Sequence, residues 1–139
     1  MTISHLSLEW QTLQNNHEQH EKNALLLKLV CVAVCIAGIA AHVSAGWLAL
    51  AVALLWLQEG IVKTYQSRLS DRLIKVEAML FGPDTPTPTH AAMQLHSEWM
   101  ANRPGTLSLI AGYAVSACRP TVAFPYAPLL IAVAIEVFA

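Results

Sequence analysis

Lys28 and Glu59 are charged residues inside the two longest apolar stretches of this 139-residue chain, residues 24–43 and 46–62. A short turn joins the stretches, so they are predicted to pack as antiparallel helices. Counting outward from the turn places Lys28 level with Glu59. Opposite charges at one depth reduce the cost of burying each other. The sequence therefore predicts an ion pair, and its alternatives are an ion or proton path lined by Gln58, Glu59 and Lys28, or an unpaired lysine that reaches the interface.

His17 and His20 form a second group with chemical potential, because they occupy positions of a helical repeat where apolar residues are expected. Two histidines one turn apart can present two metal ligands, and Asp71 is the candidate for a third. The surrounding residues lack the paired Glu-x-x-His motifs of dimetal sites in helical bundles. Two other interpretations are a pH-sensitive contact and polar residues that fix the register of a helix pair.

Catalytic motifs are missing from the sequence. It contains no glycine-rich phosphate loop and no serine in a nucleophile elbow, and no cysteine has a basic, histidine-containing context. The formal net charge of −1 gives no footprint for nucleic acid. We therefore predict a protein that is not an enzyme, carries no cofactor and does not bind nucleic acid.

Composition points to a lipid bilayer. The chain is 55% hydrophobic and 12% charged, whereas ordinary soluble domains have about 25% charged residues. At about 1.5 Å per residue, each apolar stretch approaches the thickness of the hydrocarbon core. The turn between them has no basic residue, and basic residues near spans stay in the cytoplasm. This pattern predicts a multi-pass protein of the bacterial inner membrane with a cytoplasmic N-terminus.

Residues recur at spacings of three or four on both sides of the spans, a pattern typical of coiled coils. Before and into the first span the apolar members are Ile3, Leu6, Trp10, Leu13, Ala24 and Leu27, and His17 and His20 occupy the two positions between Leu13 and Ala24. After the second span they are Tyr65, Leu69, Leu73, Val76 and Leu80. Residues 1–81 are therefore predicted to form one long helical hairpin, whose arms continue into the cytoplasm as an antiparallel coiled coil.

The remainder of the chain divides into three parts. Residues 82–89 are a linker rich in proline and threonine, and residues 90–118 are predicted to form short amphipathic or interfacial helices, the first from a cap at Thr89. Residues 120–139 are long enough for a third transmembrane helix that Pro125 would kink, with the C-terminus outside. The predicted fold class is all-α.

Small residues follow helical spacing inside the spans. Such faces let helices approach closely in lipid. The residues predicted to pack helices are Cys31, Cys35, Gly38, Ala49, Ala53 and Gly60. A second stripe, Ala33, Ala37 and Ala41, is predicted to remain free for another chain or for the third helix.

The order of parts over residues 3–80 is an amphipathic helix, a tight two-span hairpin and a cytoplasmic helix. This order resembles the two-span bacterial membrane effector families called SLATT. The resemblance implies an oligomer that perforates the inner membrane when a nucleotide-sensing or defence partner acts. The stretch of residues 121–139 departs from that two-span plan.

Three functions follow as hypotheses. The first is a non-enzymatic subunit that acts through helix association in a homo-oligomer or with other membrane-protein subunits. The second is an oligomeric ion channel or pore-forming effector with Lys28, Gln58 and Glu59 near its inner mouth. The third is a membrane metalloprotein that uses His17 and His20.

Overall fold

The computed structural model describes the backbone of residues 2–81 and 92–138, and the side chains of residues 5–81 and 92–136. Within these ranges the chain forms six helices and no strand. They are α1 (Thr2–Ala40), α2 (Ala45–Phe81), α3 (Leu95–Ala101), α4 (Thr106–Ala117), α5 (Pro120–Ala123) and α6 (Tyr126–Phe138). The all-α prediction is confirmed for these residues, and the predicted linker at residues 82–89 lies outside them.

The long hairpin consists of α1 and α2, with 39 and 37 residues. At about 1.5 Å per residue, each helix is about 55–60 Å long, roughly twice the thickness of a bilayer core. Both helices contain a segment long and apolar enough to cross a membrane. Each therefore has the length to cross a bilayer and to extend well beyond it.

The turn at the tip of the hairpin is set by backbone hydrogen bonds. Val43 N–H donates to the Gly38 carbonyl at 2.9 Å, and His42 N–H donates to the Ile39 carbonyl at 3.0 Å. These two bonds form a Schellman motif, with His42 in the left-handed region at a φ of 53°. The motif ends α1 sharply, and α2 begins at Ala45.

A continuous seam of buried residues holds the two long helices together. On α1 the buried members include Leu6, Leu13, Ala24, Cys31, Cys35 and Gly38. On α2 they include Leu48, Val52, Glu59, Gln66, Leu73 and Val76. Consecutive members on α2 are separated by three, four or seven residues, which is heptad spacing. The same packing pattern therefore runs through the apolar segments and through the polar arms.

Part of the predicted small-residue packing face is wrong, because the heptad spacing of the buried residues continues through the apolar segment of α2. Ala53 is exposed and Ala49 is half-buried, whereas the neighbouring Leu48 and Val52 are buried. Each residue of a helix is rotated by about 100° from the previous one. Extending the seam of the polar arm through the apolar segment of α2 selects Leu48 and Val52, so the alanine that follows each of them turns away from α1.

Glycines permit two close approaches. A Cβ on Gly38 would overlap the end of the Leu48 side chain on α2. A Cβ on Gly60 would lie 3.0 Å from Ala117 Cβ and 3.2 Å from the Tyr113 carbonyl oxygen on α4. A backbone carbonyl cannot rotate away as a leucine methyl can, so Gly60 is the less tolerant position.

Gly60→Ala should lower the free energy of unfolding by about 1–2 kcal/mol, because overpacking outweighs the roughly 1 kcal/mol gain in helix propensity. Gly112→Ala on α4 is the matched control, since its Cβ would meet nothing within 4 Å. It should leave stability unchanged or raise it. Reversible unfolding in detergent micelles measures both values, and equal shifts for the two variants would contradict the close approach of α2 and α4.

The helix α3 is shorter than predicted. The expected helix began near residue 90, but Met93 adopts a positive φ of 60°, and the helix starts at Leu95. A left-handed residue cannot continue an α-helix, so the chain turns at Met93 before the helix begins.

The predicted third transmembrane helix is divided by a break at Phe124-Pro125, where the peptide bond is cis. The helix α6 has 13 residues, and at about 1.5 Å per residue it extends only about 20 Å. Its first residue, Tyr126, contacts Glu59, and Glu136 near its other end lies beside His42 and Ala45 of the hairpin tip. The helix α6 therefore runs along the apolar part of α2 without being a continuous helix over residues 121–139.

Candidate functional site

Glu59 is completely buried among α1, α2 and α6, and one of its carboxylate oxygens, Oε1, accepts no hydrogen bond from a described residue. Oε1 lies 3.3 Å from Lys28 Nζ. Oε2 accepts a hydrogen bond of 2.7 Å from the Tyr126 hydroxyl. The structure thus brings Lys28 and Glu59 together at the distance of an ion pair and adds a donor from α6.

The same cluster attaches the segment between α4 and α6 to the hairpin. Lys28 Nζ donates to the Thr121 carbonyl, and Trp56 Nε1 donates to the Ala117 carbonyl at 2.9 Å. The rings of Trp56 and Tyr126 stack with centroids 6.3 Å apart. These bonds satisfy carbonyl groups in the last turn of α4 and in the four-residue α5, because the last four carbonyls of a helix have no partner within it.

Gln58 does not join this cluster. It is exposed on α2, whereas the adjacent Glu59 is buried. The three residues predicted to line an ion or proton path therefore do not share one surface in a single chain. The arrangement of Lys28, Glu59 and Tyr126 is suited to fixing helices to one another.

Sequence reasoning missed Tyr126 and Trp56 as partners of this cluster. A tyrosine hydroxyl or indole N–H in an apolar segment usually finds an acceptor when buried. That signal was present in both residues, but the depth of Tyr126 depends on the break at Phe124-Pro125. A continuous helix over residues 121–139 would have placed the ring at a different level.

His17 belongs to a polar network where the polar arm of the hairpin meets its apolar segment. Its Nε2 lies 3.2 Å from Gln66 Nε2, and Gln66 Nε2 donates to Glu21 Oε1 at 2.6 Å. Lys63 Nζ also contacts Glu21 Oε1, at 2.9 Å. The hydrogen bonds from Lys63 and Gln66 hold the pKa of Glu21 below its usual value. Because the charged form of Glu21 is favoured in the folded chain, this network is complete at neutral pH.

His20 lies on the other side of α2. It lines a pocket with Tyr65, Arg68 and Trp99, and its Nδ1 is buried without a hydrogen-bond partner. Three residues correspond to a rotation of about 300° on a helix, so the two side chains leave α1 about 60° apart. They lie on either side of α2, and His17 and His20 therefore line separate cavities.

This separation corrects the candidate metal site. Asp71 is exposed and lines a third cavity beside Arg72 and Lys75, apart from both histidines. Within residues 5–81 and 92–136, no three His, Cys, Asp or Glu side chains come together as a metal site would require. The set of His17, His20 and Asp71 is thus wrong as a shared ligand group.

Arg72 is the centre of a buried cluster that attaches α3 to the hairpin. Its guanidinium contacts Glu9 through two bonds, at 2.8 and 3.2 Å, and Glu98 through one bond at 2.7 Å. Lys75 also contacts Glu98, at 3.0 Å. Glu9 Oε2 further accepts a bond of 2.7 Å from Met93 N–H. The basic residues Arg72 and Lys75 of α2 are therefore in contact with α3 of the same chain.

The described residues thus offer four polar groups: the closed ion pair of Lys28 and Glu59, the histidine-containing network beside Lys63, the buried cluster around Arg72, and the pocket between α3 and the hairpin. Comparison of the chain with protein-family models, curated proteins and solved structures found no match.

Proposed function

We propose that the protein is a small, non-enzymatic integral membrane subunit that acts through helix association in a homo-oligomer or a larger membrane complex. In this proposal α1 and α2 cross a bacterial inner membrane, and their polar arms and α3 lie in the cytoplasm. The segment of α5 and α6 completes the membrane unit and leaves the C-terminus outside. The hairpin tip carries no basic residue, whereas basic residues lie near the other ends of the two apolar segments. This asymmetry supports the proposed orientation.

The observation that carries the proposal is the exposed amide of Gln58. It lies on an apolar surface of α2 with the exposed side chains of Leu54 and Leu57. No described residue forms a hydrogen bond with its side chain. Lys28 and Glu59, at the same level, are by contrast bonded within the chain. In a bilayer, an amide without a partner favours contact with a polar group of another helix.

The exposed surface of α1 is compatible with the same role. Ala33, Ala37 and Ala41 are exposed, whereas the stripe of Cys31 and Cys35 is buried in the hairpin. Small residues allow a second helix to approach closely once a polar contact holds it. Two surfaces of the hairpin are thereby open to association.

Gln58→Leu should weaken assembly of the full-length protein. Loss of one interhelical hydrogen bond in lipid raises the dissociation constant by about threefold to thirtyfold. Native mass spectrometry in a mild detergent, over a range of protein concentrations, measures this change. Gln11→Leu is the matched control, because Gln11 is an exposed glutamine on the cytoplasmic arm of α1.

The same measurement separates the alternatives. A single-chain mass at all concentrations, with no other subunit co-purifying, would overturn the proposal. An assembled species that Gln58→Leu leaves intact would overturn the role of Gln58. A closed ring that also conducts ions in vesicles would favour a pore-forming effector, the second hypothesis, over a passive subunit.

A further inference from the structure

A cavity of about 500 Å³ lies between α3 and the cytoplasmic arms of the hairpin. Its polar and aromatic lining consists of His20 on α1, Tyr65 and Arg68 on α2, and His96 and Trp99 on α3. Cavities of about 300–1,000 Å³ are the usual size of small-molecule sites. The volume is thus sufficient for the polar group of a small ligand.

Arg68 is held in this cavity by aromatic rings. Its guanidinium carbon lies 4.9 Å from the centre of the Tyr65 ring and 4.9 Å from the centre of the Trp99 ring. No described residue accepts a hydrogen bond from it. The rings contact the guanidinium group, but they leave its planar fork of N–H donors unused. Such a fork matches the oxygens of a phosphate or carboxylate.

Arg68 forms no ion pair with a described residue. The described lining of the cavity contains no carboxylate, and Asp71 and Glu98 in the adjacent groove make no ion pair with Arg68. His20 also has no hydrogen-bond partner among the described residues, including its buried Nδ1. This set of unused donors with no negative charge favours an anionic ligand.

The position of the cavity indicates where that anion comes from. His20 precedes the first apolar stretch by four residues, and Tyr65 follows the second by three. At about 1.5 Å per residue, these side chains lie about 5–6 Å beyond the hydrocarbon boundary, which is within the headgroup layer. Tyrosine and tryptophan are enriched at this depth.

We propose that this pocket binds the phosphate group of an anionic phospholipid headgroup from the cytoplasmic leaflet. Arg68 donates to the phosphate oxygens, and Tyr65 and Trp99 hold the guanidinium in position. His20 and His96 supply further donors at the edge of the site. The depth of the site rests on the proposed membrane orientation, but the binding does not depend on oligomer formation.

The test uses the full-length protein in mild detergent, titrated with phosphatidylglycerol or with phosphatidylcholine of the same acyl chains. Native mass spectrometry counts the lipids retained per chain in every oligomeric state, so a failure of assembly and a failure of lipid binding are distinguishable. The wild-type chain should retain phosphatidylglycerol in preference to phosphatidylcholine. Equal retention of the two lipids would overturn the proposal.

Arg68→Gln should weaken phosphatidylglycerol binding about tenfold, because it removes a charge-assisted bond to phosphate. Arg103→Gln is the matched control. Arg103 also lies over Trp99, at 5.2 Å, but does not line the cavity. It should change binding less than twofold, because it removes the same charge outside the site. Equal losses in the two variants would indicate general surface charge and overturn the site.

Arg68→Lys retains the positive charge but lacks the planar fork, so its affinity for phosphatidylglycerol should lie between those of wild type and Arg68→Gln. This variant tests the site even if Arg68→Gln folds poorly. Inorganic phosphate at millimolar concentration is the competing probe. Binding of inorganic phosphate by a chain that does not retain phosphatidylglycerol in preference to phosphatidylcholine would assign the pocket to a soluble phosphate ligand and overturn the lipid source.

Discussion

Glu59→Leu should lower the free energy of unfolding by about 3 kcal/mol or more, because removing one partner leaves a charge unpaired in a low-dielectric site. The charge left unpaired is that of Lys28, whose ammonium lies 3.3 Å from the Glu59 carboxylate in the wild-type chain. The Tyr126 hydroxyl would lose its acceptor as well. Water does not reach the completely buried position of Glu59, whereas the Lys28 side chain is 24% exposed and keeps its bond to the Thr121 carbonyl.

The adjacent residue provides the control for this variant. Gln58→Leu places the same side chain on the exposed surface of α2 and should change the unfolding free energy of the monomer by less than about 0.5 kcal/mol. Reversible unfolding in detergent micelles, at a dilution where the chain is monomeric, measures both. The double variant Lys28→Met with Glu59→Leu should recover most of the loss. A Glu59→Leu protein as stable as wild type would rule out a stabilising ion pair.

Glu59→Gln separates a packing role from a proton path. The amide oxygen still accepts the Tyr126 hydrogen bond, but the side chain no longer carries or releases a proton. A structural pair predicts reduced stability with normal assembly. A proton path predicts loss of ion or proton flux in vesicles while assembly is retained.

The long helices could be predicted from sequence because their signal is local and periodic. The heptad residues Leu6, Leu13, Leu73 and Val76 are buried as the pattern indicates. Counting residues from the turn also predicts that Lys28 and Glu59 lie at the same depth, because the rise per residue is the same in both helices of an antiparallel pair. Rotation around the helix is less certain over many turns, so Ala53 was assigned to the wrong face.

The contacts of the C-terminal third could not be derived in this way. The break before Tyr126 depends on how Pro125 is accommodated, and apolar residues on every side of α6 give no preferred face. The place where α3 attaches depends on long-range bonds from Glu98 to Arg72 and Lys75. Charged residues at such distances in sequence carry no periodic signal. The pocket around Arg68, formed by three helices, was invisible for the same reason.

Arg72→Met should produce the second large effect, a loss of about 3–5 kcal/mol, because it leaves a buried carboxylate without its cation. Glu9 is 6% exposed and Arg72 is 3% exposed, so neither is well solvated. Lys75→Met is the control, since Lys75 contacts the same Glu98 but its side chain is 56% exposed. It should cost less than about 1 kcal/mol.

Hydrogen exchange distinguishes a local from a global loss in Arg72→Met. Because Arg72 joins Glu9 on α1 to Glu98 on α3, loss of the guanidinium should release α3 before the hairpin separates. Amides of α3 should then exchange faster while the seam around Val52 stays protected. Unchanged exchange in α3 would show that Arg72 does not hold this helix.

Release of α3 has a consequence for the lipid site. Arg72 does not line the pocket around Arg68, but α3 supplies Trp99, which holds the Arg68 guanidinium. Arg72→Met should therefore weaken phosphatidylglycerol binding, although it touches no lipid in the proposed site. Lys75→Met removes an equal charge from the same face of α2 and should bind normally. A loss common to both variants would attribute binding to the charge of that face, whereas a loss confined to Arg72→Met would attribute it to the position of α3.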